Sequence, residues 1–190
     1  MEFSRKTWMS LFIAAIMILS VIGFSLTFTE ENTQQLAYND TDFTRTQNGW
    51  QTKINNNKVE FYTFPSELED IQFDEGAGVA LDGVKVLWFS YNPKETYAQE
   101  IADTLFYMEE SLGKAAGIYV QRGLTNNTGY ELPEATCANA TATVPVLILE
   151  SGNETSIKHN NGCIIATASS GREIYRVGDR ILYQEFKVMK

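Results

Sequence analysis

The sequence contains few of the residues that most often carry catalysis or bind metals. Its 190 residues include only two cysteines, Cys137 and Cys163, and one histidine, His159. A structural zinc site takes four ligands, so these three candidates do not predict one. The absence of a C-x-x-C motif argues against thioredoxin-type redox chemistry. No G-x-S-x-G motif surrounds a serine, and any Ser–His–Asp or Cys–His arrangement would have to use His159.

Basic charge is also scarce. The chain has 15 lysines and arginines against 24 aspartates and glutamates, which gives a net charge of −9. Residues 1–28 hold one acidic and two basic side chains, so the remaining residues carry a net charge of −10. A surface that binds a nucleic-acid backbone needs a basic footprint. We therefore expect no nucleic-acid partner, and no sequence motif predicts a cofactor.

Charged residues are absent from one long stretch, Thr7–Phe28. As a helix these twenty-two residues would reach about 33 Å, enough to cross the roughly 30 Å hydrocarbon core of a bilayer. The apolar region is longer than that of a cleaved signal peptide, and Gly23-Phe-Ser25 is a poor cleavage site. The stretch predicts a transmembrane helix. A cleaved signal peptide, a soluble core helix and a pilin-like leader are the alternatives.

The flanking charges predict the orientation of this helix. Arg5 and Lys6 precede it, whereas Glu30 and Glu31 follow it. Positive residues stay on the cytoplasmic side. We therefore expect a single-pass protein of the cell membrane that meets the bilayer through Thr7–Phe28. Its predicted parts are a cytoplasmic tip (1–6), the transmembrane helix (7–28), a polar tether (29–42) and an extracytoplasmic domain (43–190).

Cysteines and glycosylation sequons both indicate an oxidising, non-cytosolic compartment. The even cysteine count predicts a disulfide between Cys137 and Cys163, with a reactive thiol or a metal site shared with His159 as the alternatives. Four N-x-[ST] sequons follow the apolar stretch. Their asparagines are Asn39, Asn126, Asn139 and Asn153.

Hydrophobic patterns predict an α/β domain with α+β character. Gly49–Ile54 and Lys58–Phe64 flank an Asn-rich turn and are typical of a β-hairpin. Val84–Tyr91 is apolar at nearly every position, as in a strand covered on both faces. A helix with an Asn92 cap and a stop at Gly113 follows, and then a strand at Ile118–Val120. Strand, helix and strand in this order predict a right-handed crossover between parallel strands.

The remaining segments complete one domain with a mixed sheet and a C-terminal helix. Ser66 is expected to cap a short helical turn, and Ser170 a final helix that contains Gly178. Two loops are expected, at 76–83 and 123–143. Further strands are predicted at Val144–Leu149, Thr155–Lys158 and Cys163–Thr167, the last two forming a hairpin around Asn161-Gly162.

Several of these features together resemble uncharacterised single-pass archaeal surface proteins. The likeness is carried by the Asn55–Asn57 hairpin, Thr136-Cys137 before Asn139-Ala-Thr141, Val144-Pro-Val-Leu-Ile-Leu149, Gly162-Cys-Ile-Ile165 and the Arg180-Ile-Leu-Tyr183 helix. The resemblance implies a location at the cell surface. It assigns no activity and gives no residue a role.

Two groups of charges have both a functional and a structural interpretation. The acidic run Glu67–Glu75 could hold calcium or supply a general acid and base, but its spacing does not match the D-x-[DN]-x-[DN]-G calcium loop. A solvated acidic segment is the alternative. Arg172, Arg176 and Arg180 recur every four residues on the last helix. This stripe could dock an acidic partner or anionic headgroups, or could be an ordinary solvated face.

Two functions remain after these exclusions. The first is a membrane-anchored extracytoplasmic domain that binds a protein partner or serves as a subunit of an envelope complex. The second is an anchored surface enzyme, such as a hydrolase, that uses carboxylates near the strand ends. An α/β sheet usually places its site at those ends. Ser90, Tyr91, Asn92 and Arg122 are the residues expected there.

Overall fold

The computed structural model describes residues 5–27 and 34–189. The chain divides into two compact units, residues 1–34 and residues 35–190, and each is described by itself. The first unit contains one helix, α1 (Arg5–Thr27), whose described side chains at 7–22 are all exposed. The predicted cytoplasmic residues 1–4, the end of the predicted span at Phe28 and the tether residues 29–33 lie outside the described residues.

No helix within residues 5–27 or 34–189 combines the length and the hydropathy that a membrane crossing requires. The predicted transmembrane helix therefore stays a prediction.

The second unit begins with a four-stranded antiparallel sheet in the order β1-β2-β3-β4. The strands are β1 (Gln35–Tyr38), β2 (Thr41–Arg45), β3 (Trp50–Ile54) and β4 (Asn57–Phe61). Strands β3 and β4 confirm the predicted hairpin, with Trp50 opposite Phe61. Asn55 and Asn56 form its turn with φ values of 48° and 65°, a region that asparagine tolerates.

The prediction of a polar tether up to residue 42 is wrong for residues 35–42. They form β1, a turn at Asn39 with φ 49°, and the start of β2. The register places Leu36 opposite Phe43, which is fully buried. This short hairpin forms because Phe43 anchors it to the core, and a run of four residues offers too little alternation to predict it.

A second, six-stranded mixed sheet has the order β5-β9-β10-β8-β6-β7. Its strands are β5 (Gln72–Phe73), β6 (Val86–Tyr91), β7 (Tyr119–Leu124), β8 (Val146–Ser151), β9 (Ser156–Asn160) and β10 (Cys163–Ala168). Strands β6 and β7 are parallel over their full length, which confirms the predicted strand–helix–strand unit. Strands β9 and β10 confirm the second predicted hairpin. Strand β5 was not predicted.

Three helices complete this unit: α2 (Glu75–Leu81), α3 (Ala98–Ala115) and α4 (Gly171–Glu185). The loop predicted at 76–83 is wrong, because α2 occupies most of it. Asp74 caps this helix by accepting a hydrogen bond from the Gly76 amide at 2.7 Å. Ala77 and Leu81 are buried, so packing outweighs the unfavourable helix propensity of two glycines.

The bounds of α3 also differ from the prediction. The Asn92 side chain accepts a hydrogen bond from the Lys94 amide at 3.1 Å, which closes a local turn, and the helix begins only at Ala98. It continues past Gly113 to Ala115 and is followed by Gly117, whose φ is 67°. Asparagine before proline therefore starts a turn here instead of a helix.

Of the two remaining predicted helix caps, Ser170 is confirmed and Ser66 is wrong. Ser170 caps α4 as predicted, since its hydroxyl accepts a hydrogen bond from the Glu173 amide at 3.3 Å. Ser66 is not a cap, because the 3-10 turn Pro65–Leu68 follows Phe64 and has no side-chain cap. Gly178 does not interrupt α4.

The core lies around α3 and α4. Helix α3 contacts β4 of the first sheet and β6 and β7 of the second, and α4 contacts β10. Tyr183 on α4 stacks on Phe61 with ring centroids 4.1 Å apart and meets Phe43 edge to face. A smaller cluster of Val146, Ile148 and Cys163 covers the opposite face of the six-stranded sheet.

Candidate functional site

The ends of the parallel strands form one small cleft. A cavity of about 140 Å³ lies between α3, β7 and the segment around Leu132. Tyr91 and Arg122, two of the residues expected at the strand ends, line it. The other two do not, since the Ser90 hydroxyl is buried and donates to the Ala135 carbonyl at 2.5 Å, and Asn92 closes its turn. The other lining residues are Phe89, Ala102, Leu105, Phe106, Glu109, Gly123 and Leu132.

One ion pair supplies the charge of this cleft. The Arg122 Nε donates to Glu109 Oε2 at 2.6 Å, and this hydrogen bond raises the pKa of Arg122. The guanidinium also lies over the Phe106 ring, 5.7 Å from its centroid. Phe106 and Leu132 are 57% and 41% exposed. The cleft therefore offers an apolar rim beside one Arg–Glu ion pair, and aromatic residues and arginine are both enriched at protein-binding surfaces.

The enzyme interpretation would need a carboxylate with a raised pKa in this cleft. Among the described residues, the carboxylates with raised pKa values are Asp179 and Glu185, each raised to about 7 by burial. Both lie on α4, and neither lines the cleft. The charged groups that line the cleft are the paired Arg122 and Glu109.

Asp179 belongs to a buried network that joins α3, α4 and the end of the first sheet. Its Oδ2 accepts a hydrogen bond from the Thr63 amide at 2.7 Å, and its Oδ1 lies 3.0 Å from the Tyr107 hydroxyl. The Tyr107 hydroxyl also lies 2.5 Å from the Glu60 carbonyl. Tyr183 donates to the Thr63 carbonyl at 2.8 Å.

The Tyr107 hydroxyl has two acceptors but only one proton. A protonated Asp179 satisfies both contacts, because its carboxyl group can donate to the Tyr107 oxygen while Tyr107 donates to Glu60. Burial, which raises the pKa of Asp179, favours the same neutral form. No sequence pattern predicted this network. The sequence did offer one signal for the burial of Asp179: it lies four residues before Tyr183, so the two side chains share one face of α4.

The three arginines of α4 do not form one exposed stripe. Arg172 is exposed. Arg176 is held by Glu173 at 2.8 Å and by Asp70 at 2.6 Å. Arg180 is only 5% exposed and lies over the Phe73 ring at 4.2 Å. Two of the three side chains are therefore engaged within the domain, because α4 is buried on most sides over its second half.

The predicted disulfide between Cys137 and Cys163 is confirmed, with Cα atoms 5.1 Å apart. It attaches the 3-10 turn Cys137–Asn139 to β10 and so holds the long segment after β7 against the second face of the six-stranded sheet. His159 is half-buried, and its Nε2 accepts a hydrogen bond from the Gly162 amide at 2.9 Å. Within the described residues, no three His, Cys, Asp or Glu side chains are placed to hold a metal ion.

All four sequon asparagines are exposed, and their glycosylation stays a prediction. Asn39 is the one that also makes a distant contact, donating from Nδ2 to the Val188 carbonyl at 3.0 Å. Three members of the acidic run have structural partners, since Glu69 accepts a hydrogen bond from the Tyr38 hydroxyl, Asp70 pairs with Arg176 and Asp74 caps α2.

The sequence matches no protein-family model, and it matches neither a curated protein nor a solved structure. The predicted likeness to archaeal surface proteins therefore stays a prediction.

Proposed function

We propose that this chain is a membrane-anchored binding module, in which residues 35–190 lie outside the cell and bind a protein partner at the cleft beside β7. The observation that carries the binding part is the exposed apolar rim of that cleft, formed by Phe106 and Leu132 next to the Arg122 guanidinium. The proposed location outside the cell is supported by the apolar stretch Thr7–Phe28 and by the charges on either side of it.

Three features support the membrane anchor. Thr7–Phe28 contains no charged residue. Helix α1 exposes large apolar side chains such as Trp8, Phe12 and Leu19, which are 71%, 58% and 67% exposed. A helix that is apolar all round is normally buried in a large core or in a membrane. The basic residues Arg5 and Lys6 at the start of α1 and the acidic residues Glu30 and Glu31 after it favour an outward-facing domain.

Fractionation and proteolysis test this location. We expect the full-length chain to stay in the membrane pellet after an alkaline carbonate wash. A variant with arginine at both Ile13 and Leu19 should be released, because each central charge opposes insertion by roughly 2.5–3.5 kcal/mol. Added protease should digest the domain on intact cells. Release of the unmodified chain by carbonate, or protection of the domain on intact cells, would contradict the proposal.

The partner-binding part is supported by composition and shape. Aromatic residues and arginine are the side chains most enriched where proteins bind one another. Tyr119 and Tyr130, on β7 and in the segment after it, add further exposed aromatic surface, at 67% and 49%. The cavity of about 140 Å³ is too small for most organic ligands, whose pockets usually exceed about 300 Å³. It is large enough to receive part of one bulky side chain.

Site-specific cross-linking tests the binding surface. We expect benzoylphenylalanine at Phe106 to form one dominant adduct when full-length protein is irradiated in its own membrane. The matched control is the same group at Val79 on α2, which is 77% exposed but lies away from the cleft lining. Equal adducts at both positions, or none at Phe106 and Leu132, would contradict a binding site here.

A further inference from the structure

The proposed function leaves open what kind of partner segment binds, and the backbone of β7 addresses this. We infer that the outer edge of β7 receives an extended, basic segment of the partner as an added strand, with one bulky apolar side chain entering the cleft. This inference rests on the proposed binding function and specifies its mode.

Strand β7 is the last strand of the six-stranded sheet. The Tyr119 amide donates inward to the Lys85 carbonyl. Backbone groups of successive residues alternate between the two edges of a strand in a parallel ladder. The backbone groups of Val120 and Arg122 therefore face outward, away from β6.

Leu124 is the next residue of β7 whose backbone groups face outward, and these groups already pair with the segment that follows β7. The Leu124 amide donates to the Pro133 carbonyl at 2.9 Å, and its carbonyl accepts from the Ala135 amide at 2.9 Å. This is the beginning of a seventh, parallel strand, paired at Leu124 and Glu134. Among residues 34–189, the recorded strand partners of β7 are β6 along its length and this single bridge. The outward-facing N–H and C=O groups of Val120 and Arg122 are therefore placed to pair with a strand from another chain.

The cleft lies on the face of the sheet that an added strand would share. Phe89 and Arg122 are paired across β6 and β7 and both line the cleft, so alternate side chains of an added strand would point towards it. Main-chain hydrogen bonds then supply affinity, and the cleft between Phe106 and Leu132 supplies specificity. An edge strand beside a helix-lined cleft is a recurring arrangement for binding extended peptides.

Charge favours a basic segment over a second copy of this chain. Residues 35–190 contain 13 basic and 21 acidic side chains, a net charge of −8. Glu131 and Glu134 are exposed in the segment that begins the seventh strand. Two such domains would repel each other, whereas a cationic segment would be attracted to this edge.

Hydrogen exchange on the full-length protein in detergent tests the inference. The probe is an acetylated peptide of roughly eight residues that alternates lysine and valine and has one central phenylalanine. We expect it to slow exchange of the Val120 and Arg122 amides about tenfold or more, with no change in β3 or β4. The control peptides replace lysine by glutamate, or carry N-methyl groups on alternate residues. Neither should protect these amides.

Two substitutions at one position separate the backbone from the side chain. Arg122→Pro removes the outward N–H at an edge position where proline is tolerated, whereas Arg122→Ala keeps it. We expect Arg122→Pro to weaken peptide binding about tenfold relative to Arg122→Ala, measured by fluorescence anisotropy. Gln121→Pro checks the register, because it removes an inward N–H and should lower the thermal midpoint of the domain.

The outcomes are distinct. Unprotected Val120 and Arg122 amides at saturating peptide, or equal binding by the two Arg122 variants, would overturn strand addition. Edge amides already protected without peptide, together with a dimer in sedimentation, would replace the partner by a second copy and also overturn the inference. A Phe106 adduct with unprotected edge amides would leave the proposed binding function standing and reject only this mode. Hydrogen exchange on the unmodified protein tests strand addition even if Arg122→Pro fails to fold.

Discussion

Replacing Asp179 with asparagine should remove a pH-dependent loss of stability from the domain of residues 35–190. Burial raises the pKa of Asp179 from 3.8 to about 7. Between these values the folded state holds a proton that the unfolded state has lost. Stability therefore falls as pH rises through this window, and the fall is complete above the folded pKa.

The magnitude follows from the size of the pKa shift. A difference of about three pK units corresponds to about 4 kcal/mol between pH 4 and pH 8, with a slope near 1.4 kcal/mol per pH unit inside the window. Asparagine is expected to mimic the neutral acid. Its oxygen can accept from the Thr63 amide and its nitrogen can donate to the Tyr107 oxygen, the two contacts that Asp179 makes at 2.7 and 3.0 Å.

Urea unfolding at pH 5, 6, 7 and 8 measures this effect. We expect Asp179→Asn to be more stable than the unmodified domain at pH 8 and to have a flatter profile, with Glu185 as the remaining contributor. Asp179→Ala is the matched control. It should be less stable than Asp179→Asn at every pH, by about 1–3 kcal/mol, because the buried Thr63 amide loses its acceptor. Asp103→Asn, at an exposed position of α3, should change nothing.

Two results would refute this reasoning. An unchanged pH slope in Asp179→Asn would mean that Asp179 is ionised throughout the range. Destabilisation of Asp179→Asn at pH 8 to the level of Asp179→Ala would mean that the carboxylate form is the one the network requires.

Two further predictions concern stability. Replacing Cys137 and Cys163 together by serine should lower the free energy of unfolding by about 3.5 kcal/mol, because the disulfide closes a loop of 26 residues and so limits the entropy of the unfolded chain. Calorimetry under non-reducing conditions measures this effect, and an unchanged thermal midpoint would contradict it. Gly178→Ala should destabilise by about 1–3 kcal/mol, because its Cβ would lie 2.5 Å from Thr104 Cγ2. Gly113→Ala is the control, because its Cβ would have no neighbouring atom nearer than 3.9 Å, and it should stabilise α3 by about 0.5–1 kcal/mol. If the urea midpoints of the two variants moved in the same direction, this account of packing would be contradicted.

Local patterns were sufficient to predict the long elements. The β3–β4 hairpin was predictable because Asn55 and Asn56 tolerate the positive φ of its turn. The β6–α3–β7 crossover was predictable because a continuous apolar run, a helix with apolar residues at helical spacing and a second apolar strand follow one another in the sequence. The disulfide was predictable because the chain has only one possible cysteine pair.

The missed elements are short and depend on distant contacts. Strand β5 has two residues and exists through its pairing with β9. Helix α2 contains Gly76 and Gly78, so its local propensity is poor, and burial of Ala77 and Leu81 compensates. Neither β5 nor α2 can be predicted from a short window of sequence, because the contacts that stabilise them come from other parts of the chain.

Two of the nine residues that line the cleft were predictable from the sequence. The rule that sites form at strand ends identified Tyr91 and Arg122. It could not identify Phe106 or Leu132, which reach the cleft from the outer side of α3 and from the segment after β7. Their convergence is a product of tertiary packing, and so is the burial of Asp179.

Radical footprinting on intact cells tests the central claim most directly. We predict that hydroxyl radicals oxidise Phe106 several-fold less on cells than in the purified full-length protein, while Val79 is oxidised to the same extent in both. That pattern requires a domain outside the membrane with its cleft covered by a partner. Equal oxidation of Phe106 in the two samples would contradict an occupied binding surface, and loss of labelling at both residues on cells would contradict the outward-facing location.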